Sequence, residues 1–550
     1  MAKIIKKCPT CGKQAEIKSE MKLGNLHLKT YTCGHSATEM GLKQADEDTL
    51  NITSMDGKKP FNYQLTGARF IEESNGRVLI ADEMALGKTV QFEMFVTAHP
   101  EARPFVVFTK ARIKRQWYKE SVRWGDMMVQ VVDGTQEQLI PGFDGYIISY
   151  DSAWRIGMKS SREPIYPGSR KTELVYTPIE GKTLPEQLKK CKVKTVGLDE
   201  CQLIKNADSS RAKAIQDVCR QDSIKYIIGL SGTPIKNNAS EYFPILNILR
   251  PDKFPNKRQF LDNWCDSHWD GYKMKVGGLR NPSAFQNYTK DFIIRRTRAE
   301  VLPDLPSIFR QNSFSDLGEM VEEEYKKTLR EFNEFYDAGP GSNAFLFQSN
   351  ILAYLSKMRH LTGLSKIDPV CEFVESFIME TNRKLAVFTH HIDVANILKT
   401  KLENTSKEWP AEWGKVLTTV GVDVEKAGQV IEDWQNTSGR VCILSTLASG
   451  EGLNLQFCSD CIIMERQWNP ANEEQAEARF PRPGQTADKI NAMYFVAVGT
   501  VDEFFSELVE KKRSYVASTL DGKQVAWDES NLVKELAQII REKGGQRWGW

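Results

Sequence analysis

The sequence predicts an α/β protein built from two tandem lobes, each a parallel sheet covered by helices, with helical insertions and a small cysteine-bearing module at the N-terminus. The first observation is the length, because 550 residues are too many for a single hydrophobic core. The second is that short apolar runs alternate with helical or polar stretches from residue 77 onwards, as in a parallel sheet wrapped by helices. The third is a second series of such runs that begins at Lys384.

The composition limits the classes of function. Hydrophobic residues make up 41% of the chain and charged residues 27%, which are ordinary values for a globular protein. Since 74 Lys and Arg face 72 Asp and Glu, any contact with nucleic acid must come from local basic patches. The N-terminal MAKIIKKCPTC has no apolar signal-peptide core, and no apolar run of about 18 residues occurs. We therefore expect a soluble, intracellular protein with no membrane partner, whose 11 cysteines are mostly reduced thiols.

Apolar runs predict the strands of both lobes in chain order. In the first lobe they are RVLIA (77–81), FVVFT (105–109), YIIS (146–149), TVGL (195–198) and YIIGL (226–230). In the second lobe they are KLAVFTHH, KVLTTVG, RVCILST, CIIMERQ and INAMYFVAV. The resulting domain division is the cysteine-bearing module at 1–38, a polar linker at 39–58, lobe 1 at 59–249, helical protrusions and the inter-lobe connector at 250–370, lobe 2 at 371–520 and a C-terminal tail at 521–550.

The strand RVLIA leads into a phosphate-binding loop. A Gly-Lys-Thr at a strand-to-helix turn presents backbone N–H groups and a helix N-terminus to phosphates, with Lys88 on the β- and γ-phosphates and Thr89 on Mg²⁺. The general pattern G-x-x-x-x-G-K-T has glycine where Asp82 stands. The alternative is a simple lysine-bearing turn. The predicted ATP-binding loop comprises Asp82, Glu83, Met84, Ala85, Leu86, Gly87, Lys88 and Thr89.

The strand TVGL leads into an acidic pair, Asp199 and Glu200. At the carboxyl end of a parallel strand, one acid can hold the Mg²⁺ shell and a second can orient the attacking water. We assign Asp199 to the metal and Glu200 to the water. An Asp-Glu pair at a solvated helix start is the alternative, but the order of strand, GKT and acidic strand end has about the separation that one RecA-like lobe needs.

With these motifs the sequence resembles the Swi/Snf family of superfamily-two helicase-like ATPases over about residues 60 to 515. In lobe 1 the matching segments are FNYQLTGARF, DEMALGKT, KARIKRQWYKE, ISYD, DECQLIKN and LSGTPIKNN, and FIIRRTRAEVLPDLP matches the family connector. In lobe 2 they are VFTHH, STLASGEGLNLQ, RQWNP and QAEARFPRPGQT. The paired histidines His390 and His391 and the DEC-Q-x-IKN box point to the branch that reanneals strands and remodels forks.

The resemblance implies ATP hydrolysis coupled to translocation along duplex or forked DNA by two RecA-like lobes, in the cytoplasm, nucleoid or nucleus. It implies that Gln64 binds adenine and that Gly452 lies at the nucleotide. It also implies that Arg479 and Arg482 reach across the cleft towards the γ-phosphate. Pairing of both arginines with nearby acids such as Glu473, Glu474 or Glu477 is the alternative. Prolines at 481 and 483 predict that their helix ends near Phe480.

Three departures from the family pattern bear on the mechanism. Ala85 replaces glycine in the phosphate loop, and Phe480-Pro481 replaces an Ala-His or similar pair between the two arginines. Gln202 stands where the family usually has histidine. Its amide can still hydrogen-bond to Ser231 or Thr233, so we expect hydrolysis to survive.

The N-terminal module has the ligand pattern of a zinc ribbon. Cys8 and Cys11 form one knuckle, and Cys33 with His35 can supply the other two ligands of a tetrahedral site. His27 competes as a ligand, and a flexible leader with incidental cysteines is the alternative. Seven lysines against two glutamates through residue 35 would allow contact with a phosphate backbone or merely solvate the module.

Further residues are candidates for contact with DNA. Lys110, Arg112 and His390 are candidate phosphate contacts, and Trp468 can stack on a base or sugar or simply pack at a strand end. Residues 154–194 carry ten Lys and Arg against four Glu, which fits either a surface that follows the DNA backbone or a solvated insertion. The lone pair of Cys458 and Cys461 is best explained by packing.

Two other functions compete with translocation along DNA. One is a strand-separating DNA helicase, which unwinding of forked substrates would reveal. The other is an ATP-dependent clamp or zinc-ribbon adaptor with little turnover, against which the presence of Lys88, Glu200 and Arg482 argues.

Overall fold

The computed structural model describes residues 52–164, 172–235, 238–269, 274–339, 344–409, 415–446, 453–467, 470–506, 509–510 and 540–541, and the backbone of four N-terminal strands. The predicted site residues Cys8, Cys11, Cys33, His35, Gly452 and Trp468 lie outside this set. No helix in the described part of the chain is long and apolar enough to cross a bilayer.

The N-terminal strands form an antiparallel sheet in sequence order. They are β1 (Ile5–Lys7), β2 (Gln14–Leu23), β3 (Leu26–Tyr31) and β4 (Ser36–Met40). In such a meander the β1–β2 and β3–β4 connections leave the sheet at the same end. His27, which pairs with Lys22 beside the β2–β3 connection, lies at the opposite end.

Lobe 1 is built on a seven-stranded parallel sheet in the order β15-β5-β12-β11-β6-β8-β7. Its strands are β5 (Arg77–Ile80), β6 (Phe105–Thr109), β7 (Val129–Val131), β8 (Gly145–Ser149), β11 (Thr195–Asp199), β12 (Tyr226–Leu230) and β15 (Ile293–Ile294). All five strands predicted from the apolar runs are present. Two edge strands, β7 and β15, were not predicted.

The central strands are apolar throughout because helices cover both faces of the sheet. Phe105 and Val107 of β6 pack into one core cluster, and Val106 and Phe108 into the cluster on the other face. Alternate residues of a strand point to opposite faces, so a strand buried on both sides loses the polar alternation of a half-exposed one.

Helices and two hairpins surround this sheet. The helices are α1 (Asn62–Glu73), α2 (Lys88–Ala98), α3 (Lys114–Gly125), α4 (Tyr150–Ala153), α5 (Leu184–Lys190), α6 (Ser210–Cys219), α7 (Phe243–Leu249), α8 (Lys257–Trp264), α9 (Pro282–Thr289) and α10 (Arg298–Val301). The hairpins are β9 (Met158–Pro164) with β10 (Thr172–Pro178), and β13 (Cys265–Trp269) with β14 (Met274–Leu279). The first hairpin occupies the basic segment 154–194.

Lobe 2 is built on a six-stranded parallel sheet in the order β16-β21-β20-β17-β19-β18. Its strands are β16 (Ser307–Ser315), β17 (Leu385–Thr389), β18 (Leu417–Thr418), β19 (Val441–Ser445), β20 (Asp460–Ile463) and β21 (Lys489–Ala497). Its helices are α11 (Glu319–Ala338), α12 (Ala344–Ser365), α13 (Ile367–Glu380), α14 (Ile392–Thr405), α15 (Val424–Asn436) and α16 (Pro470–Glu477).

The segment between the predicted lobes is more than helical protrusions. Residues 250–370 also supply one edge strand to each sheet, β15 to lobe 1 and β16 to lobe 2. Only residues 295–306, which include α10, lie between β15 of lobe 1 and β16. The two lobes are therefore joined by a short connector that begins at the edge of the first sheet.

Candidate active site

The phosphate loop leaves β5 and enters α2 with two residues in the left-handed region of backbone conformation. Gly87 has φ 66° and Ala85 has φ 69°. A Cβ at Gly87 would lie 2.3 Å from Nε2 of Gln64, so another residue there would displace the Gln64 amide and adopt a strained backbone. Ala85 adopts the left-handed conformation at a cost of roughly 1 kcal/mol. The alanine that replaces the family glycine is thus accommodated in the backbone shape that glycine favours.

The side-chain amide of Gln64 contacts the phosphate loop. Its Nε2 lies 3.4 Å from the Leu86 carbonyl, and its Oε1 accepts a hydrogen bond from the Phe61 backbone N–H at 2.9 Å. The structure therefore places the predicted adenine-binding glutamine in direct contact with the predicted phosphate loop.

Lys88 begins α2 and points back over the loop. Its Nζ donates to the carbonyl of Asp82 at 2.9 Å and to that of Glu83 at 3.2 Å. Burial lowers the pKa of the Lys88 ammonium, whereas the nearby carboxylates, that of Glu200 first, raise it. The ammonium is thus held by two neutral carbonyls, which an anionic ligand in the loop can replace.

The two acids at the start of the loop are held by arginines of the inter-lobe connector. Arg296 forms an ion pair with the fully buried Asp82 and donates to Gln91 Oε1 at 3.0 Å. Arg298 donates to Glu83 from its backbone N–H and from Nε, each at 2.7 Å. Neither arginine was predicted as a site residue, although both lie in the connector motif FIIRRTRAEVLPDLP. The phosphate loop is therefore tied to the segment that leads into lobe 2.

Asp199 and Glu200 lie at the carboxyl end of β11, beside the phosphate loop. Asp199 Oδ2 accepts hydrogen bonds from Thr109 Oγ1 at 2.7 Å and Trp117 Nε1 at 2.9 Å. Burial, followed by the charge of Glu200, raises the pKa of Asp199 to about 6. Glu200 itself has a left-handed backbone with φ 49°. Strain of this kind collects at functional sites.

Gln202 connects the acidic pair to the segment after β12. Its Nε2 donates to Glu200 Oε2, and its Oε1 accepts from Ser231 Oγ at 2.6 Å. The hydrogen bond to Ser231 expected from the sequence is confirmed. Ser231 Oγ in turn accepts from the Thr233 backbone N–H at 3.1 Å. The glutamine that replaces the family histidine therefore keeps the connection between Glu200 and the LSGTPIKNN segment.

The arginines of lobe 2 lie in the turn that follows α16. This helix ends at Glu477, three residues before the predicted end near Phe480, because residues 478–480 form turns ahead of the two prolines. The Glu477 and Glu473 carboxylates pair with Arg310 and Arg466 respectively.

Residues of both lobes line one cleft cavity of about 370 Å³. Lobe 1 contributes Gln64, Met84, Ala85, Gly87, Lys88, Thr89, Asp199 and Glu200, and lobe 2 contributes Asn454, Gln456, Gln475, Arg479 and Arg482. Burial and the neighbouring Arg479 lower the pKa of Arg482. The cavity therefore has cationic side chains from both lobes around it, as an anionic ligand between the lobes requires.

A second inter-lobe cavity, of about 410 Å³, contains other predicted residues. Lobe 1 contributes Lys110, Arg112 and Arg211 to its lining, and lobe 2 contributes Thr446 and Gln475. Arg211 was not predicted. Since Gln475 lines both cavities, the two lie close to each other.

His390 does not line either cavity. It lies after β17, where its backbone N–H donates to the buried Glu465 at 2.7 Å. Burial, followed by the charge of Arg359, lowers the pKa of His390 to about 4, so its ring is neutral near pH 7. The Nδ1 atom of His391 forms a hydrogen bond with Glu465 in the same cluster.

The remaining cysteine pair packs in the core. Cys458 is 2% exposed and Cys461 is 1% exposed, as the sequence predicted. In the described part of the chain there is no group of three or more His, Cys, Asp or Glu side chains that could hold a metal ion. The predicted zinc ligands lie outside that part.

Two parallel-sheet lobes, with a phosphate loop and an acidic pair in one and arginines of the other around the same cavity, define a helicase-like ATPase. The chain belongs to the SNF2-related domain family, whose model matches residues 63–364. The helicase conserved C-terminal domain matches residues 365–484. The resemblance seen in the sequence motifs is confirmed.

Several characterised proteins are similar to this chain. DNA annealing helicase and endonuclease ZRANB3 of Mus musculus is 25% identical over 499 residues, which cover 89% of this chain and 42% of that protein. The subfamily A-like protein 1 homolog of the SWI/SNF-related, matrix-associated, actin-dependent regulators of chromatin from Caenorhabditis elegans is 24% identical over 82% of this chain and 60% of its own length. The chain thus spans about two fifths of the annealing helicases. The Sulfolobus solfataricus SWI2/SNF2 ATPase core in complex with dsDNA is 21% identical, with a TM-score of 0.38 over 90% of this chain and 96% of that chain.

Proposed function

We propose that this chain is an ATP-dependent translocase on duplex DNA, which hydrolyses ATP in the cleft between its lobes and moves along or remodels DNA. The observation that carries the proposal is the single cavity lined by Lys88 and Glu200 of lobe 1 and by Arg482 of lobe 2. A site completed by both lobes couples the state of the nucleotide to the distance between them.

The residues around the cavity fit a nucleotide and its magnesium ion. Gly87 keeps the loop free of a side chain, and the Lys88 ammonium rests on carbonyls that a phosphate can replace. Asp199 Oδ1 accepts no hydrogen bond within the described residues, so it can serve a metal together with the Thr89 hydroxyl. Mg²⁺, when bound, would neutralise negative charge on the phosphates.

The other parts of nucleotide binding and hydrolysis are assigned to side chains of the protein. Gln64 orients the base and Lys88 binds the terminal phosphates. Glu200 orients the attacking water, which the hydrogen bond from Gln202 supports by fixing its carboxylate. Arg482, with Arg479 beside it, offsets the charge that develops during phosphoryl transfer.

The second cavity supports DNA as the partner. Lys110, Arg112 and Arg211 place three cationic side chains beside the ATP cleft, at a point where both lobes contribute. Such groups contact phosphates without reading sequence. Relatives named DNA annealing helicases favour remodelling of forked or duplex DNA over strand separation.

The test compares ATP hydrolysis without nucleic acid and with single-stranded DNA, duplex DNA, forked DNA and RNA. We expect duplex or forked DNA to stimulate hydrolysis most, and equal rates with and without DNA would contradict the proposal. Lys88→Ala should weaken nucleotide binding, and Glu200→Gln should preserve binding and remove turnover. Glu403→Gln, an exposed change on α14, is the control. Efficient unwinding of a fork would instead indicate a strand-separating helicase.

We also propose that the N-terminal sheet carries a zinc ion held by Cys8, Cys11, Cys33 and His35. The support is the strand register, because Lys7, Gln14, Tyr31 and Ser36 bring the ends that flank both knuckles to one end of the sheet. The same register disfavours His27 as a ligand, since it lies at the other end.

A further inference from the structure

The Asp199 carboxylate is held by two donors that the sequence did not predict to contact it. Thr109, the last residue of β6, and Trp117 of α3 both donate to the same oxygen, Oδ2. Thr109 is fully buried and Trp117 is 1% exposed. Neither donor can turn to water without moving the core around it.

Two donors on one oxygen restrict how the carboxylate can rotate. The terminal torsion of an aspartate is broad and roughly two-fold when nothing holds it. Here Oδ2 is engaged from two directions, so the direction of Oδ1 is fixed as well. No described residue donates to Oδ1, which leaves that oxygen for a ligand in the cleft.

Packing connects this orientation to the phosphate loop. The Trp117 ring stands edge-on against Phe92, with ring centroids 5.5 Å apart. Phe92 is fully buried in α2, the helix that begins at Lys88 and carries Thr89. A single tryptophan therefore contacts both the acidic strand end and the helix that follows the phosphate loop.

We propose that Trp117 and Thr109 are positioning residues for the magnesium site, which fix the Asp199 carboxylate so that Oδ1 faces the metal that accompanies the nucleotide. This inference rests on the metal role proposed above for Asp199. Outer residues that orient a metal ligand typically change metal affinity or activity by about 10- to 100-fold when they are removed.

The test replaces each donor with a residue of similar shape in the 550-residue chain. Trp117→Phe removes the indole N–H, Thr109→Val removes the hydroxyl, and Thr109→Ser keeps it. The readout is electron paramagnetic resonance titration of Mn²⁺ in the presence of ADP. We expect Mn²⁺ affinity to fall about tenfold in the Phe and Val variants and to stay within about twofold in the Ser variant. The Mg²⁺ concentration for half-maximal ATP hydrolysis should rise in parallel.

Two matched controls measure the cost of the same chemical changes elsewhere. Trp434→Phe alters a fully buried tryptophan in lobe 2, and Thr195→Val removes a buried hydroxyl that donates to the Ala102 carbonyl at the other end of β11. Both should keep the parental Mn²⁺ affinity. If Trp117→Phe and Thr109→Val behave like these controls, the positioning role is wrong.

The Asp199→Asn variant distinguishes a failure of the positioning role of Trp117 and Thr109 from a failure of the metal role of Asp199. If it weakens Mn²⁺ binding while the donor variants do not, only the inference about Trp117 and Thr109 fails. If Asp199→Asn leaves Mn²⁺ affinity unchanged, the metal role of Asp199 fails and the inference fails with it. Thermal unfolding of each variant confirms that the titrated protein is folded, and the comparison of Thr109→Val with Thr109→Ser still tests the inference if Trp117→Phe does not fold.

Discussion

Glu93 is a buried carboxyl group between α2 and α3 that has little to balance its charge. Ser121 Oγ donates to its Oε1 at 2.7 Å, and its Oε2 has no hydrogen-bond partner in the described part of the chain. Burial, together with the charge of Glu120, raises the pKa of Glu93 to about 8, although Ser121 and Arg103 act to lower it. The folded protein therefore holds a proton on Glu93 at neutral pH.

This proton predicts how stability depends on pH. Between the ordinary glutamate pKa and about 8, the folded state binds a proton that the unfolded state has lost, so Glu93 makes stability fall as pH rises, by up to about 1.4 kcal/mol per pH unit. Glu93→Gln removes this contribution. We expect the Tm of the variant relative to the parent to increase from pH 5.5 to pH 8 in thermal unfolding. A difference that stays constant across that range would contradict the raised pKa.

At the scale of single residues, the sequence identified the functional residues that lie in a short motif next to a predicted strand. Asp199 ends an apolar strand and Lys88 follows one after a short loop, so their place at the carboxyl edge of the sheet could be predicted. The hydrogen bond from Trp117 to Asp199 could not, because it joins residues far apart in the chain on α3 and β11. Arg296 and Arg298 were missed for the same reason, since their partners Asp82 and Glu83 precede them by more than two hundred residues.

At the scale of secondary structure, every central strand and the edge strand β18 were predicted, whereas the edge strands β7, β15 and β16 were not. A strand that is buried on both faces has a continuous apolar sequence, and such sequences were found in both lobes. Strand β16 instead has the sequence SIFRQNSFS, mostly exposed, with only intermittent apolar residues. Its pairing with β21 comes from the folded sheet, and its own sequence carries little signal for it.

The connector between the lobes is another element without a strong apolar pattern, and it contacts the phosphate loop. Arg298 is the first residue of α10, which leads to β16 of lobe 2, and it holds Glu83 in the phosphate loop. We predict that Arg298→Ala and Glu83→Gln each weaken ATP binding about fivefold, because a partly buried ion pair contributes about 1 kcal/mol. The double variant should be no weaker than either single one, and titration with a fluorescent nucleotide measures all four proteins.

A second ion pair on lobe 1 provides the control for this cycle. Arg250 pairs with Asp291 on the surface at 2.8 Å, away from the cleft. Arg250→Ala and Asp291→Asn are expected to leave ATP affinity unchanged. Strictly additive losses for Arg298 and Glu83 would show that the two residues act on the loop independently.

The N-terminal sheet gives a prediction about metal content. We expect about one zinc ion per chain by elemental analysis, and its loss in the double variant Cys8→Ser and Cys11→Ser. The second C-x-x-C pair supplies a matched control, because Cys458 and Cys461 are buried in lobe 2. Their replacement by serine should leave the zinc in place. Freshly purified protein without zinc would overturn the prediction.

At the scale of the whole molecule, the cleft has the property that neither lobe has alone. Lobe 1 provides the loop, the acids and Lys88, and lobe 2 provides Arg479 and Arg482 on the opposite wall of the same cavity. The tandem arrangement could be predicted from two series of apolar runs. The cleft shared by both lobes was implied only by the family resemblance, because apolar runs carry no information about the connector or about contacts between distant segments.

Replacement of Arg482 tests whether both lobes act on one nucleotide in this shared cavity. Its neighbour Arg479 and burial both lower the pKa of its guanidinium, and no carboxylate within the described residues forms an ion pair with it. A cation in such surroundings is stabilised by the arrival of negative charge. The developing charge of phosphoryl transfer would supply it, and arginines in that role contribute about 10³-fold or more to the rate in related NTPases.

We therefore predict that Arg482→Ala keeps ATP binding within a few-fold, keeps the parental Tm and nearly abolishes DNA-stimulated hydrolysis. Arg258→Ala, which changes a highly exposed arginine on α8, is the control and should hydrolyse ATP at the parental rate. Nucleotide titration and steady-state phosphate release separate binding from turnover. Because Arg482 belongs to lobe 2 and the loop to lobe 1, a loss confined to turnover would mean that hydrolysis requires both lobes on one nucleotide. Parental turnover in Arg482→Ala with DNA present would mean that lobe 1 hydrolyses ATP without closure, and the coupling between ATP and movement would then have to lie elsewhere in the chain.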